Sequence, residues 1–336
     1  MLRRTFFAVL AAGAFTLPAV SLPVHAQEGK TLSIGFISTE TSSNLKSAWQ
    51  PVIDDLSKTL GVQVKPFFAS DYAGIIEAMR FNKVQIAWFG NKSAIEAVDR
   101  ANGEVFASVI DKEGNPGYWS LLVVNKDSAL KSVDDVIRHG KELSYGAGDP
   151  NSTSGTAVPG YYLWGANKVE PKTLFKAVRI SNHETNLLSV INKQVDVAVN
   201  NTENMERYRI NTGKNPYDLV RVLWKSPLIP ADPLVYRKDL PADTKAKIRD
   251  FFVSYGKNPD ATIAAREKQA LATLTYQGFR ASSDAQLVPI RQLELAKEKQ
   301  KLEADSTLAA ADKQARLADV SKRLAELDKT TASSAQ

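Results

Sequence analysis

Apolar and polar positions change period repeatedly between residues 31 and 255. Residues 31–37 alternate and then turn apolar, the two-residue repeat of a strand with a buried end. In 43–60, Leu45, Trp49, Val52, Ile53, Leu56 and Leu60 return at three- and four-residue steps, and Gly61 stands where a helix C-cap is wanted. Residues 62–69 then read as a strand, 75–81 as a helix and 84–89 as a buried strand. Further strands are predicted at 105–110, 119–125, 143–145, 175–180, 195–199, 219–224 and 234–237. Helices are predicted at 132–138, 155–166, 184–193 and 242–255. Strands separated by helices of this length predict an α/β fold of parallel sheets with crossover helices.

Two extended stretches interrupt this alternation. Residues 118–126, running from Tyr118 to Lys126, are long and apolar, and 224–233 are rich in proline (Pro227, Pro230, Pro233). Both read as crossings between two lobes, one made of 30–120 plus 232–295 and the other of 125–225. Two α/β lobes joined by a double crossing can open and close around a ligand held between them. After about Gln286, Leu287, Ile290 and Leu293, and later Leu317, Val320, Leu324 and Leu327, recur at helical steps among charged residues. Residues 297–329 hold eight basic and seven acidic side chains, so 297–336 reads as a nearly neutral helical tail. It is either a solvated helix or a homodimer contact through the 317–327 stripe.

The N-terminus changes the picture of where the chain works. Arg3 and Arg4, an apolar run from Phe6 to Val20 and the small-residue site Val24-His25-Ala26 form a secretory signal, with cleavage near Ala26. The run is short and broken by Gly13 and Pro18, which argues against a retained span. There is no cysteine for a disulfide or a lipid anchor, so the expectation is a soluble periplasmic protein starting near Gln27. Removing Arg3 and Arg4, with no acidic residue before Ala26, lowers the formal charge from +6 to +4. That modest, dispersed excess gives no nucleic-acid footprint.

Catalytic patterns fail one by one. Residues 146–151 start like a dinucleotide fingerprint but contain Pro150 and lack the third glycine, and no Lys follows Gly155 to complete a phosphate loop. His183-Glu184 has no second His after it, and two surviving histidines, His139 and His183, are too few for a His-rich metal site. Ser152–Ser154 has no nucleophile-elbow spacing. No enzyme, metal or cofactor is expected. The competing reading, a periplasmic hydrolase of phosphate esters or phosphonates, would use Ser152–Ser154 as nucleophile and His183 as base.

What remains is a set of polar residues at predicted strand ends, where an α/β sheet presents its ligand crevice. The most informative is Ser152-Thr153-Ser154, three hydroxyls between a β-type run and a predicted helix start. Free backbone N–H groups and the helix dipole suit such a place to a tetrahedral oxyanion, although an isolated cluster of this kind often only caps a helix. Tyr72, His183 and Glu203 stand at comparable positions, Tyr118 begins the first crossing, and Asp232 lies in the second. Each has an ordinary alternative: packing for Tyr72, capping for His183, a first-turn acid for Glu203, a turn residue for Asp232.

The runs FFASDYAGIIEAMRFNKVQIAWFGN, PGYWSLLVVNKDS, GDPNSTSG, HETN, NKQVDVAVNNTEN, WKSPLIPADP and FRASSDAQLVPIRQLELAKE closely resemble the phosphonate-binding protein (PhnD) family, from Leu32 to Lys297. The resemblance implies a type II-like two-lobed periplasmic-binding-protein fold with its ligand in the interlobe cleft, serving a phosphonate ABC importer through its membrane permease. Members that bind 2-aminoethylphosphonate hold the phosphonate with residues matching Tyr72, Ser152, Thr153, Ser154 and His183. They hold the ammonium with acids matching Glu203 and Asp232, and Tyr118 lines the site. Phe89 stands where relatives can carry Tyr.

Overall fold

The structure, a computed structural model, describes residues 31–334, so the predicted signal segment 1–26 lies outside the described residues. In chain order the strands are β1 (Leu32–Phe36), β2 (Val64–Phe68), β3 (Ile86–Trp88), β4 (Gly103–Asp111), β5 (Gly117–Tyr118), β6 (Ser120–Asn125) and β7 (Ser144–Ala147). They continue with β8 (Ala177–Ile180), β9 (Val197–Asn201), β10 (Val220–Lys225), β11 (Ile229–Pro230), β12 (Pro233–Arg237) and β13 (Tyr276–Ala281). One sheet runs β13-β4-β12-β3-β1-β2, a second β10-β6-β9-β7-β8, and β11-β5 form a two-stranded ribbon. The molecule is a two-lobed α/β protein, each lobe built on one of the larger sheets.

Local chemistry explains the elements. The helix Ser42–Leu60 starts at Thr41, whose side chain accepts from the Asn44 N–H, and ends at Gly61 in the left-handed region (φ 66°). It buries Leu45, Trp49, Val52, Ile53 and Leu56 against the six-stranded sheet, in a core that also holds Phe36, Phe106, Phe252 and Phe279. In β6, Leu122 and Val124 face one apolar cluster while Leu121 and Val123 face another. Burial on both sides is why that strand reads as a continuous apolar run.

The sheets are mixed, which corrects the parallel expectation. β12 runs antiparallel to β3 and β4, and β6 antiparallel to β9 and β10. The cause is the double crossing. β3 ends at the cleft, where the Phe89 N–H donates to the Pro233 carbonyl at the start of β12. A strand entering from the ribbon must therefore run against strands that end there. β6, fed by β5, enters the second sheet in the same way, pairing Ser120 with the C-terminal residue of β9, Asn201.

The chain after β13 forms two helices, Val288–Ala304 and Ala310–Ser334, folded into a hairpin. Leu317, Val320, Leu324 and Leu327 pack with Leu295, Leu302 and Leu308. The stripe read as a solvated face or a homodimer contact thus packs against the preceding helix, with Val320 buried and Leu317, Leu324 and Leu327 half-buried. Ile290 and Leu293 of the first helix meanwhile pack with Tyr118 and Ile229 of the ribbon and with Ala157 and Val158.

Candidate ligand-binding cleft

The hydroxyl cluster sits at the end of β7, and glycine makes its geometry possible. A Cβ on Gly148 would lie 2.5 Å from the Cα of Gly155, so strand end and helix start touch backbone to backbone. Ser152 caps the turn, its Oγ accepting from the Gly155 N–H at 2.9 Å. Beyond this cap the chain departs from the regular helix predicted over 155–166. Thr153–Ala157 and Gly160–Gly165 are wound in wide π turns, with the Ala157 N–H reaching the Ser152 carbonyl at 3.1 Å. Pro159 stands between them and brings no N–H to the ladder. Such widened turns often mark functional sites.

Ser152, Thr153 and Ser154 are all buried. The Oγ atoms of Ser152 and Ser154 each lie 3.4 Å from His183 Nε2, and Asn201 Nδ2 donates to Ser154 Oγ at 3.0 Å. Thr153 Oγ1 accepts from the Lys92 N–H of the other lobe at 2.9 Å. Gly90 permits that approach, since a Cβ there would come within 3.0 Å of Thr153 Oγ1. The helix His183–Ile191 is capped by Asn182, whose side chain accepts from the Thr185 N–H. Capping is therefore not the role of His183. Burial lowers its pKa to about 4, so the ring is neutral at ordinary pH and not the imidazolium that an anion site first brings to mind.

A second group of side chains faces this one. Asp232, buried between β11 and β12, takes a hydrogen bond from the Tyr118 hydroxyl, yet burial still pushes its carboxyl up to about 7. Glu203, in the first turn of the helix Thr202–Thr212, keeps some exposed surface as a residue while its carboxyl is enclosed. Desolvation and then repulsion by Asp232 and Asp111 drive it well above the usual carboxylate range. The same acids act on their neighbours. Burial, then Asp232 and Glu203, raise the Tyr118 phenol; burial, then Glu203 and Asp232, raise that of Tyr276. Tyr72 is raised by burial, Asp232 and Asp149, against a hydrogen bond with Ser152 that acts the other way.

All eight residues singled out in the sequence thus meet in one interlobe cleft. Phe89 is fully buried in the core of the six-stranded sheet. The structure adds Trp88, Asn201, Asn204 and Tyr276. Asn201 bonds Ser154, and the other three share a cavity with His183, Glu203 and Asn201. Trp88 ends β3 and could have been found by the same strand-end rule; Tyr276 opens β13 behind an unpredicted helix, Ala261–Thr273, and gave no signal. Trp88 Nε1, His183 Nδ1, Asn204 Oδ1 and Asp232 Oδ1 are buried and find no partner among the described residues. Unpaired buried polar atoms are costly and rare. Here two are a ring N–H donor and a ring nitrogen, two are acceptors, and all four belong to residues of the cleft.

This geometry is not that of a hydrolase. With Nδ1 unpartnered, no carboxylate orients His183, and its depressed basicity suits it poorly to take a serine proton. Among the described residues no group of three or more His, Cys, Asp or Glu could hold a metal ion, and no helix is long and apolar enough to cross a membrane.

Residues 34–287 match the family model described as the periplasmic substrate-binding protein of phosphonate ABC transporters. The chain is 51% identical to the phosphonates-binding periplasmic protein of Escherichia coli, over 94% of this chain and 91% of that one. It is 26% identical to the phosphate-import protein PhnD of Mycolicibacterium smegmatis, over 71% of this chain and 75% of that one. The crystal structure of a binding protein component of an ABC phosphonate transporter from Pseudomonas aeruginosa superposes with a TM-score of 0.87 at 50% identity, covering 92% of this chain and all of that one. These relatives are binding proteins, not enzymes, and by sequence, fold and cleft the chain belongs to the periplasmic phosphonate-binding proteins of ABC transporters.

Proposed function

We propose that this receptor selects 2-aminoethylphosphonate and delivers it to the permease of its importer. Ser152, Thr153, Ser154, Tyr72 and His183 hold the phosphonate oxygens, Glu203 and Asp232 hold the ammonium, and Tyr118 lines the site. The observation that carries this reading is the enclosed acid pair beside a donor-rich pocket. Two carboxylates would repel a plain anion, so they belong there only if the ligand also brings a cation. Burial holds both carboxyls above their ordinary range, and an ammonium beside them would draw them back to the charged form. His183 contributes as a neutral ring, with hydroxyls and backbone N–H groups supplying most donors.

Inorganic phosphate lacks the cation and would leave the pair unmatched in a closed cleft, at a cost on the order of several kcal/mol. Calorimetric titration with 2-aminoethylphosphonate, methylphosphonate, phosphite and phosphate is the test. Tightest binding of the aminoalkyl ligand is expected; phosphate or phosphite binding equally well would end the proposal. For export, the reading places cleavage after Ala26, which N-terminal sequencing of the periplasmic protein checks.

A further inference from the structure

A cluster on the rim of the cleft lies apart from the residues proposed to hold the ligand. Glu184 follows His183 in the first turn of the helix His183–Ile191, and makes three hydrogen bonds to the other lobe. Its N–H donates to the Thr39 carbonyl at 3.2 Å, its Oε2 accepts from the Thr41 N–H at 2.8 Å, and its Oε1 accepts from Asn44 Nδ2 at 2.8 Å. Thr41 and Asn44 form the N-terminus of the helix Ser42–Leu60, which has no acidic residue in its own first turn. The Thr41 cap is long, 3.4 Å to the Asn44 N–H. A carboxylate at such an end meets both free donors and the positive pole of a long helix.

We infer that Glu184 is a positioning residue that latches the closed receptor, capping the Ser42–Leu60 helix across the cleft only when the lobes meet. Because Glu184 is covalently next to His183, a phosphonate that fixes the His183 ring also fixes the turn that carries the latch. The bonds join rim to rim, so the device is indifferent to the organic group on the phosphonate and independent of which phosphonate the cleft prefers. It stabilises closure, and hence slows release, without touching the ligand.

Binding of methylphosphonate and of 2-aminoethylphosphonate to the full mature chain tests this, by calorimetry and by stopped-flow release, with Glu184→Ala, Asn44→Ala and the double variant. Glu184→Ala is expected to weaken both ligands by the same factor, about tenfold, chiefly through faster release. The double variant should be scarcely weaker than Glu184→Ala alone, since both changes cut the same latch. Small-angle scattering at saturating methylphosphonate should show a more open average shape for Glu184→Ala than for the unaltered protein. Unchanged affinities, or full additivity in the double variant, would overturn the latch. A change for one ligand only would make Glu184 part of ligand reading instead. Should Glu184→Ala lose its cooperative melting, Asn44→Ala, which cuts the same bond from the other lobe, carries the same test.

Discussion

On one side of the cleft Ser152, Ser154, Asn201 and His183 form a neutral net whose members bond one another. On the other, Asp232 and Glu203 are enclosed acids, and Asp232 Oδ1 has no partner among the described residues. The difference lies in when each half reaches its low-energy state. The hydroxyl half is organised beforehand: caps and backbone bonds aim its donors, so a ligand gains them without reordering. In the acid half, burial disfavours the charged carboxylates, a cost that protonation or an arriving cation relieves. On the proposed reading, affinity for the tetrahedral head would come from the first half, and discrimination between phosphonates from the second.

The sharpest way to break that division is to neutralise the acids. Glu203→Gln or Asp232→Asn should cost 2-aminoethylphosphonate roughly 2–4 kcal/mol, because an enclosed ammonium loses its partner. Methylphosphonate should bind as well or better. Equal weakening of both ligands, measured by calorimetry, would show that the acids support the cleft without reading an amine. The same pair gives a proton signal. Burial raises Asp232 to about 7, and burial with repulsion by Asp232 and Asp111 holds Glu203 well above the usual carboxylate range. A raised acid is favoured when protonated, so the ligand-free fold loses stability as pH rises through about 7. An arriving ammonium lowers both, and protons leave. Titrations at pH 7–8 in buffers of different ionisation enthalpy should show proton release with the aminoalkyl ligand, diminished in Asp232→Asn.

The hydroxyl half should respond without regard to the organic group. Ser154→Ala removes a hydroxyl that meets both His183 and Asn201, and is expected to cost each ligand about 1–3 kcal/mol. A loss confined to 2-aminoethylphosphonate would mean the two halves are not separable.

Much of this arrangement was readable in the chain, and the exceptions have physical causes. Periodicity located Ser42–Leu60 and its Gly61 cap because both are local. Strand direction was missed because β12 and β6 are reversed by the crossings, a non-local fact that no local repeat encodes. The helices Asn91–Arg100 and Thr202–Thr212 were not predicted, since each begins in polar residues that read equally well as a loop after a strand. In the cleft, Ser152–Ser154 announced themselves as a run. Glu203 and Asp232 took their meaning from the resemblance, for a lone acid near a turn has many ordinary explanations. The neutral state of His183 needed the structure, because burial is a property of the assembled fold.

Trp88 offers the finest test of the comparison. It ends β3 with its ring buried and 5.9 Å, centroid to centroid, from that of Trp49, while Nε1 has no acceptor among the described residues. An indole N–H can only donate, so it has nothing to offer an ammonium and should serve the phosphonate. Trp88→Phe keeps an aromatic ring in the core and removes the donor. Both ligands are expected to weaken alike, by about 1 kcal/mol, the net worth of one hydrogen bond. Some thermal stability should also go with the smaller ring, so affinities are compared at a temperature where each protein is fully folded. If methylphosphonate binding is untouched while 2-aminoethylphosphonate weakens, the end of β3 belongs with the acids, and the boundary between the halves must be redrawn through the six-stranded sheet.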